Sequence, residues 1–206
     1  MNSSARSEPS AKAESILAAA KKSFLAHGFG AVSMETIARE AQVSKATVYA
    51  HFANKEELFG AVIGRECESR FAGLSVQELE PREAGASLAI LGRRFLELIL
   101  SPDAIALHRI IVGEVTRFPV LGEVFWKAGP ERNLRQIADF MAEAAAAGAL
   151  AVDDPRLAAE QFAGLVRGEV QLRQLLCLEG DAGAATITAA VESAVATFLR
   201  AYRPAP

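Results

Sequence analysis

The sequence predicts an all-α protein: an N-terminal three-helix unit of helix-turn-helix type, followed by a larger helical part. Hydrophobic residues make up 51% of the 206, enough for a sizeable core. Ala and Leu are abundant among them, Pro is sparse, and long β-branched runs are missing. Apolar residues recur at helical spacing, in segments bounded by capping and stop residues.

The first helix is expected from Ser10 to His27, where Ile16, Leu17, Ala20, Phe24 and Leu25 keep that spacing and Gly28 stops the run. Ser33 suits the N-cap of METIAREA, with Met34, Ile37, Ala38 and Ala41 inward. After QVS, Ser44 caps KATVYAHF. Asn54 caps the longer KEELFGAVIGRECESRF, whose Glu56 and Glu57 sit in the first turn, where the helix dipole favours anions. Two short helices joined by a turn of about three residues form a helix-turn-helix. The expected organisation is a flexible arm at 1–9, a helix-turn-helix domain at 10–55 and a helical domain at 56–206.

The stretch VSKATVYAHFANKEELF, residues 43–59, decides what the third helix does. Val43, Val48 and Phe52 share one side and can face Phe24, Ile37 and Ala38. Lys45, Thr47, Tyr49 and His51 project elsewhere, with Ala46 and Ala50 leaving room for close approach. In a major groove, Lys donates to guanine O6/N7 and Thr meets a thymine methyl or polar edge. Tyr49, His51 and Lys55 are expected at phosphates, Lys55 adding its charge to the free N–H groups of a helix start. With Ser33, Thr36, Ser44 and Ala46 they complete the expected DNA-contacting set, and double-stranded DNA is the expected partner.

The same stretch resembles the signature of TetR-type transcriptional regulators, and FLAHGFGAVSMETIAREAQ resembles its upstream half. The resemblance runs without gaps from about Ser10 to Val62. Ala46 stands where the family commonly has Gly, and Ala50 where it often has an aromatic residue or His. The resemblance implies a DNA-binding domain followed by a ligand-binding and dimerisation domain. It further implies a repressor that binds a palindromic operator as a homodimer.

Beyond Phe71 the pattern stays helical. REAGASLAILGRRFLELIL carries a stripe of Leu88, Leu91, Phe95, Leu98 and Ile99. Ser101-Pro102 opens DAIALHRIIVGEVTRF by the cap-then-Pro rule. Pro119 opens the next helix, Gly129-Pro130 interrupts it, and ERNLRQIADFMAEAAAA runs to Gly148. Asp154-Pro155 starts a long helix expected to reach Leu178 and to close at Gly180; a last helix covers about 184–202. These two helices combine small and aliphatic residues, which suits either an intramolecular core or a four-helix interface between two subunits. The TetR resemblance favours the interface, with Leu165, Leu172, Ile187, Val191, Ala194, Val195 and Phe198 as its expected residues.

IIVGEVTRFPVLGEVFWKAGPERN and DDPRLAAEQFAGLVRG resemble the C-terminal domain of the AefR-like branch of that family, over about Ile110 to Gly168. This implies an effector-binding domain. Ligand sites are apolar with a few polar groups, so the expected pocket is Phe95, His108, Arg109, Glu114, Phe118, Phe125, Trp126, Phe140, Phe162 and Gln171. The expected effector is a small apolar or amphipathic molecule.

The alternative reading is a helical adaptor or interaction protein without DNA binding; an enzyme finds little support. His27, His51 and His108 have no metal-ligand spacing, and neither a Gly-rich phosphate loop nor a nucleophile with a local base stands out. No catalytic residue, metal or cofactor is therefore expected. Cys67 and Cys177 form neither a metal spacing nor a redox pair and read as core or semi-buried thiols. No apolar run reaches membrane-spanning length and the N-terminus lacks a signal-peptide core, so a cytoplasmic location is expected. Charge is mildly asymmetric: +1 over residues 1–60 and −4 over 61–206, together the net −3. A DNA-binding surface would have to concentrate its cations on one face.

Overall fold

The computed structural model describes residues 11–71, 79–178 and 182–204, apart from the side chains of 69–71. The arm at 1–9, the expected start at Ser10 and the expected stop at Gly180 lie outside the described residues. Within them the chain forms eleven helices and no strand. These are α1 (Ala11–Ala31), α2 (Met34–Glu40), α3 (Lys45–His51), α4 (Lys55–Phe71), α5 (Ala84–Ile99), α6 (Pro102–Glu114), α7 (Val120–Ala128), α8 (Pro130–Ala146), α9 (Pro155–Arg167), α10 (Val170–Leu175) and α11 (Ala184–Ala201).

The caps explain where several of these helices begin. Ser33 accepts from Thr36 N, Ser44 from Thr47 N and Ser101 from Ala104 N, while Asp154 accepts from Arg156 N and Leu157 N. Each meets backbone donors that a helix start leaves without an intrahelical partner. Asn54 Oδ1 accepts from Glu57 N at 2.7 Å, and Glu57 reaches back to Ala53 N at 2.8 Å, a box-like closure of the α4 start.

Two apolar cores result. One joins α1–α4 through Ile16, Phe24, Phe29, Ile37, Val48, Leu58 and Phe59, and takes in Leu107 and Ile111 of α6 and Leu121 of α7. The other joins α5, α8, α9 and α11 around Leu88, Leu96, Ile137, Phe140, Phe162 and Phe198. The expected domain boundary at 55/56 thus falls inside α4, whose first turns complete the N-terminal core.

The chain departs from the sequence reading at three places. α1 runs past Gly28 to Ala31, but only through a kink at that glycine (φ 77°, ψ 173°). The expected helix over 103–118 ends at Glu114. The expected helix over 155–178 breaks at Gly168, whose φ of 44° with ψ −139° suits a residue without Cβ, and resumes as α10.

The expected dimer residues divide. Val191, Ala194, Val195 and Phe198 are buried in the chain's own core and so offer no surface to an interface, whereas Ile187 is half-buried beside it. Phe198 meets Phe162 edge-on at 5.3 Å and stacks on Tyr202 at 4.3 Å. Leu165 and Leu172 remain exposed. Cys177 is also exposed rather than semi-buried.

Phe198→Ala is therefore expected to lower the unfolding free energy by about 3–5 kcal/mol, as for other fully buried phenylalanines. Urea titration at fixed protein concentration measures it. A loss well under 1 kcal/mol would place Phe198 outside the core.

Candidate nucleic-acid interface and effector cavity

The α2–α3 turn is built to present α3. Gln42 takes a positive φ of 57°, and Val43 N donates to Ala38 O at 3.0 Å. Ser15 Oγ pins the same turn by donating to Ala41 O at 3.1 Å. Val48 and Phe52 anchor α3 in the core, leaving Lys45, Ala46, Tyr49, Ala50 and His51 exposed and Thr47 half-buried. Hydroxyl pairs Ser33–Thr36 (3.0 Å) and Ser44–Thr47 (2.8 Å) hold the starts of both helices. Ser33, Thr36 and Ser44 thus lie at the same end of the motif as Lys45 and Thr47.

Lys45 pairs with Glu35 and lies 5.7 Å from the Tyr49 ring centre. The Glu35 hydrogen bond and charge hold the Lys45 pKa above its ordinary value, and the same bond lowers that of Glu35. Both groups are fully exposed, so an incoming phosphate or base edge can displace this pair.

Lys55 does not take the phosphate-facing place that the sequence suggested. Its Nζ donates to Phe29 O (2.8 Å) and Val32 O (2.9 Å) and sits 4.2 Å above the Phe29 ring. Burial depresses its pKa. The ammonium instead satisfies carbonyls at the end of α1.

A second feature opens between the two cores, a cavity of about 130 Å³. Ile63, Glu66 and Cys67 of α4 and Phe95, Leu98 and Ile99 of α5 line it, with Ala104, Leu107 and His108 from α6. Phe125 of α7, Gly129, Pro130 and Asn133 at the start of α8, Arg167 of α9 and Gln171 of α10 complete the wall. His108 meets Phe125 edge-on at 5.6 Å. Burial holds its imidazole below the ordinary pKa of 6.5, and the Arg167 guanidinium adds to the effect. Burial also pushes the Cys67 thiol up to about 11, which keeps it protonated and unreactive.

Residues 16–62 match the family described as bacterial regulatory proteins, tetR family, and residues 86–204 match the C-terminal domain of AefR-like transcriptional repressors. The chain belongs to the TetR family. It is a helix-turn-helix, DNA-binding transcriptional regulator, and the family is not enzymatic.

Among solved structures, the flavonoid-responsive regulator FrrA is 40% identical, with a TM-score of 0.76 over 95% of this chain and 98% of that one. A TetR-family regulator from Mesorhizobium loti MAFF303099 is 26% identical, with a TM-score of 0.74 over 93% and 96%. A TetR regulator from Agrobacterium tumefaciens shares the fold at 22% identity, with a TM-score of 0.78 over 94% and 95%. The uncharacterized HTH-type transcriptional regulator YhgD of Bacillus subtilis (strain 168) is 49% identical over 47 residues, 23% of this chain. That match spans 25% of YhgD's length.

In this TetR chain, four of the ten expected pocket residues do line the cavity: Phe95, His108, Phe125 and Gln171. The other six lie elsewhere. Arg109 points away and donates to Leu175 O (3.0 Å), Gln174 O (2.6 Å) and Cys177 Sγ (3.0 Å). Glu114 accepts backbone N–H groups of α1. Phe118 packs edge-on against Phe29 at 5.4 Å, and Trp126 is exposed. Phe140 and Phe162 fill the C-terminal core.

Sequence reasoning passed over Glu66, Cys67, Asn133 and Arg167. Asn133 carried a usable signal. It shares a helical stripe with Ile137, Phe140 and Ala144, where an amide is out of place unless something polar meets it. Among the described residues no cluster of His, Cys, Asp or Glu suits a metal ion, and no helix is long and apolar enough to cross a membrane.

The lowered His108 pKa has a signed consequence. Between its folded value and 6.5, the unfolded chain binds a proton at this imidazole that the folded chain does not. Stability is expected to rise with pH across that window and to be level below it. His108→Gln should flatten this component. Urea midpoints of both proteins from about pH 5 to 7.5 measure it, and superimposable profiles would contradict it.

Proposed function

We propose that this chain is a repressor. It binds a palindromic operator as a homodimer and leaves it when a small, aromatic, amphipathic effector enters the cavity. On this reading residues 10–55 carry the DNA contacts, and residues 56–206 carry effector binding and dimerisation. The observation that carries it is the cavity's position: α4 and α6 line it, and both also pack into the core that holds α3. An effector that alters their arrangement alters the placement of the recognition helix.

Lys45 and Thr47 read base edges, Lys45 exchanging Glu35 for a base, while Ala46 allows close approach. Ser33, Thr36, Ser44, Tyr49 and His51 contact the sugar-phosphate backbone. Two-fold symmetry places two recognition helices about one DNA turn, roughly 34–36 Å, or a multiple of it apart.

The exposed faces of α9 to α11 support the dimer. Leu157, Gln161, Gly164 and Leu165 form one stripe, and Leu172 and Leu176 continue it. Ala185, Ala189, Ser193 and Ala196 expose a small-residue stripe on α11 that lets a second helix approach closely. Leu165 and Leu172 keep their expected interface role.

The effector class rests on the cavity wall. A cavity of this order holds a benzene-sized ring, here against Phe95 and Phe125. His108, Asn133, Arg167 and Gln171 offer partners to a hydroxyl or carboxylate at its edge. FrrA's name records a flavonoid response for that protein, which favours aromatic candidates here.

Two tests follow. Leu172→Asp removes no core contact, so it should leave the fold intact while light scattering reports monomers and operator binding disappears. A folded, dimeric Leu172→Asp protein would contradict the interface. Genomic fragments selected by the purified protein then supply the operator for a screen of aromatic compounds. A true effector should change the fluorescence of Trp126, beside Phe125, and weaken DNA binding about 5- to 150-fold, with DNA weakening the effector equally. Compounds that bind while the DNA complex stays intact would refute effector release.

A further inference from the structure

We infer that Glu114 is a positioning residue for DNA binding: its carboxylate, at the end of α6, seats on the kinked end of α1 and sets how the helix-turn-helix is held. The inference rests on the family's DNA-binding activity and requires no effector.

The seat is specific. Glu114 Oε1 accepts from Phe29 N at 2.7 Å, and Oε2 accepts from Gly30 N at 2.8 Å. Two successive backbone N–H groups facing one carboxylate form an anion-binding nest. Both flanking glycines are needed for it. A Cβ on Gly28 would stand 2.5 Å from Oε1, and one on Gly30 would stand 2.9 Å from Oε2 and 3.2 Å from Phe118 Cε2. Gly28 also has the positive φ of 77° that turns the following N–H groups outward. Lys55 completes the arrangement from the other side by donating to Phe29 O and Val32 O. The segment that leads from α1 into α2 is thus gripped between an anion from α6 and a cation from α4.

The other end of α6 is tied to the same helix. Lys21 of α1 lies 2.6 Å from Asp103 and 2.7 Å from Glu66. Between the two anchors, Ala104, Leu107 and His108 face the cavity. Glu114 therefore acts on DNA through the orientation of α1 to α3, since its contacts are with the end of α1. Without its seat the DNA-competent orientation becomes one of several. Apparent affinity then falls by the fraction of molecules that keep it.

The experiment compares wild type, Glu114→Gln and Gly30→Ala on a selected operator fragment, with melting curves and amide exchange on each. Glu114→Gln keeps the size but turns an NH₂ towards one of the N–H groups. Gly30→Ala keeps the charge but fills the seat. Both are expected to weaken operator binding about tenfold, beyond what any fall in the folded fraction accounts for, with faster exchange at the amides of Phe29 and residue 30. Wild-type affinity in Glu114→Gln would overturn the assignment. So would an affinity loss that only tracks a loss of folded protein. A wild-type chain that binds no fragment would overturn the DNA-binding activity itself, and the role of Glu114 with it.

Discussion

Phe29 gives each of its bonding groups to a different element, and the two halves of the molecule meet there. Its N–H donates to Glu114 of α6, and its carbonyl accepts from Lys55 of α4. Its ring lies 5.8 Å from Phe24, 5.4 Å from Phe59 and 5.4 Å from Phe118. The constraint behind this is elementary: a helix end packed into a protein must find partners for backbone groups that the helix no longer satisfies. Here those partners are charged side chains from the neighbouring helices. Satisfying the end of α1 and fixing the helix-turn-helix on α4 and α6 are the same event.

The exposed surface of the helix-turn-helix follows the opposite logic. Its polar groups are short, locally capped or loosely paired, so water or DNA can take over their contacts at small cost. Lys45 and Glu35 illustrate this. Their pair shifts both pKa values, yet both side chains stand in solvent, where ion pairs hold weakly. Lys55 is the contrast. It is drawn inward, desolvated and held by two carbonyls and a ring, so it serves the scaffold.

The cavity lies where the two cores fail to merge. Cys67 packs against both, and polar side chains gather at the seam: Glu66, Asn133 and Gln171, all largely buried, beside His108. A seam that keeps polar groups among phenylalanine and leucine can hold an amphipathic ligand without rebuilding either core. Because α6 crosses this seam while bonded to α1 at both ends, a change at the cavity wall has a short covalent and hydrogen-bonded route to the DNA-binding unit.

The local elements were legible in the sequence because their causes are local. Ser33, Ser44, Asn54, Ser101 and Asp154 cap the starts that were read from them, since a cap needs only a side chain within three residues of its target. The helix-turn-helix and its outward-facing Lys45, Thr47, Tyr49 and His51 follow from the 3.6-residue period. The break at Gly168 is not legible, because a glycine inside a helical pattern is compatible with continuation or with a break. Helical spacing fits Phe140 and Phe162 to a pocket and Phe198 to an interface, and in the fold all three are core. Periodicity gives the buried face of a helix, not what buries it. By itself, then, the sequence determined most of the helices, their caps and the exposed polar face of α3, each set by residues within a turn or two. Only the tertiary structure decided that Lys55 and Glu114 grip Phe29, and that Glu66, His108, Asn133 and Arg167 share one cavity. Those contacts join residues far apart in the chain, Glu66 and Arg167 among them, and their partners are chosen by how helices pack rather than by any local preference.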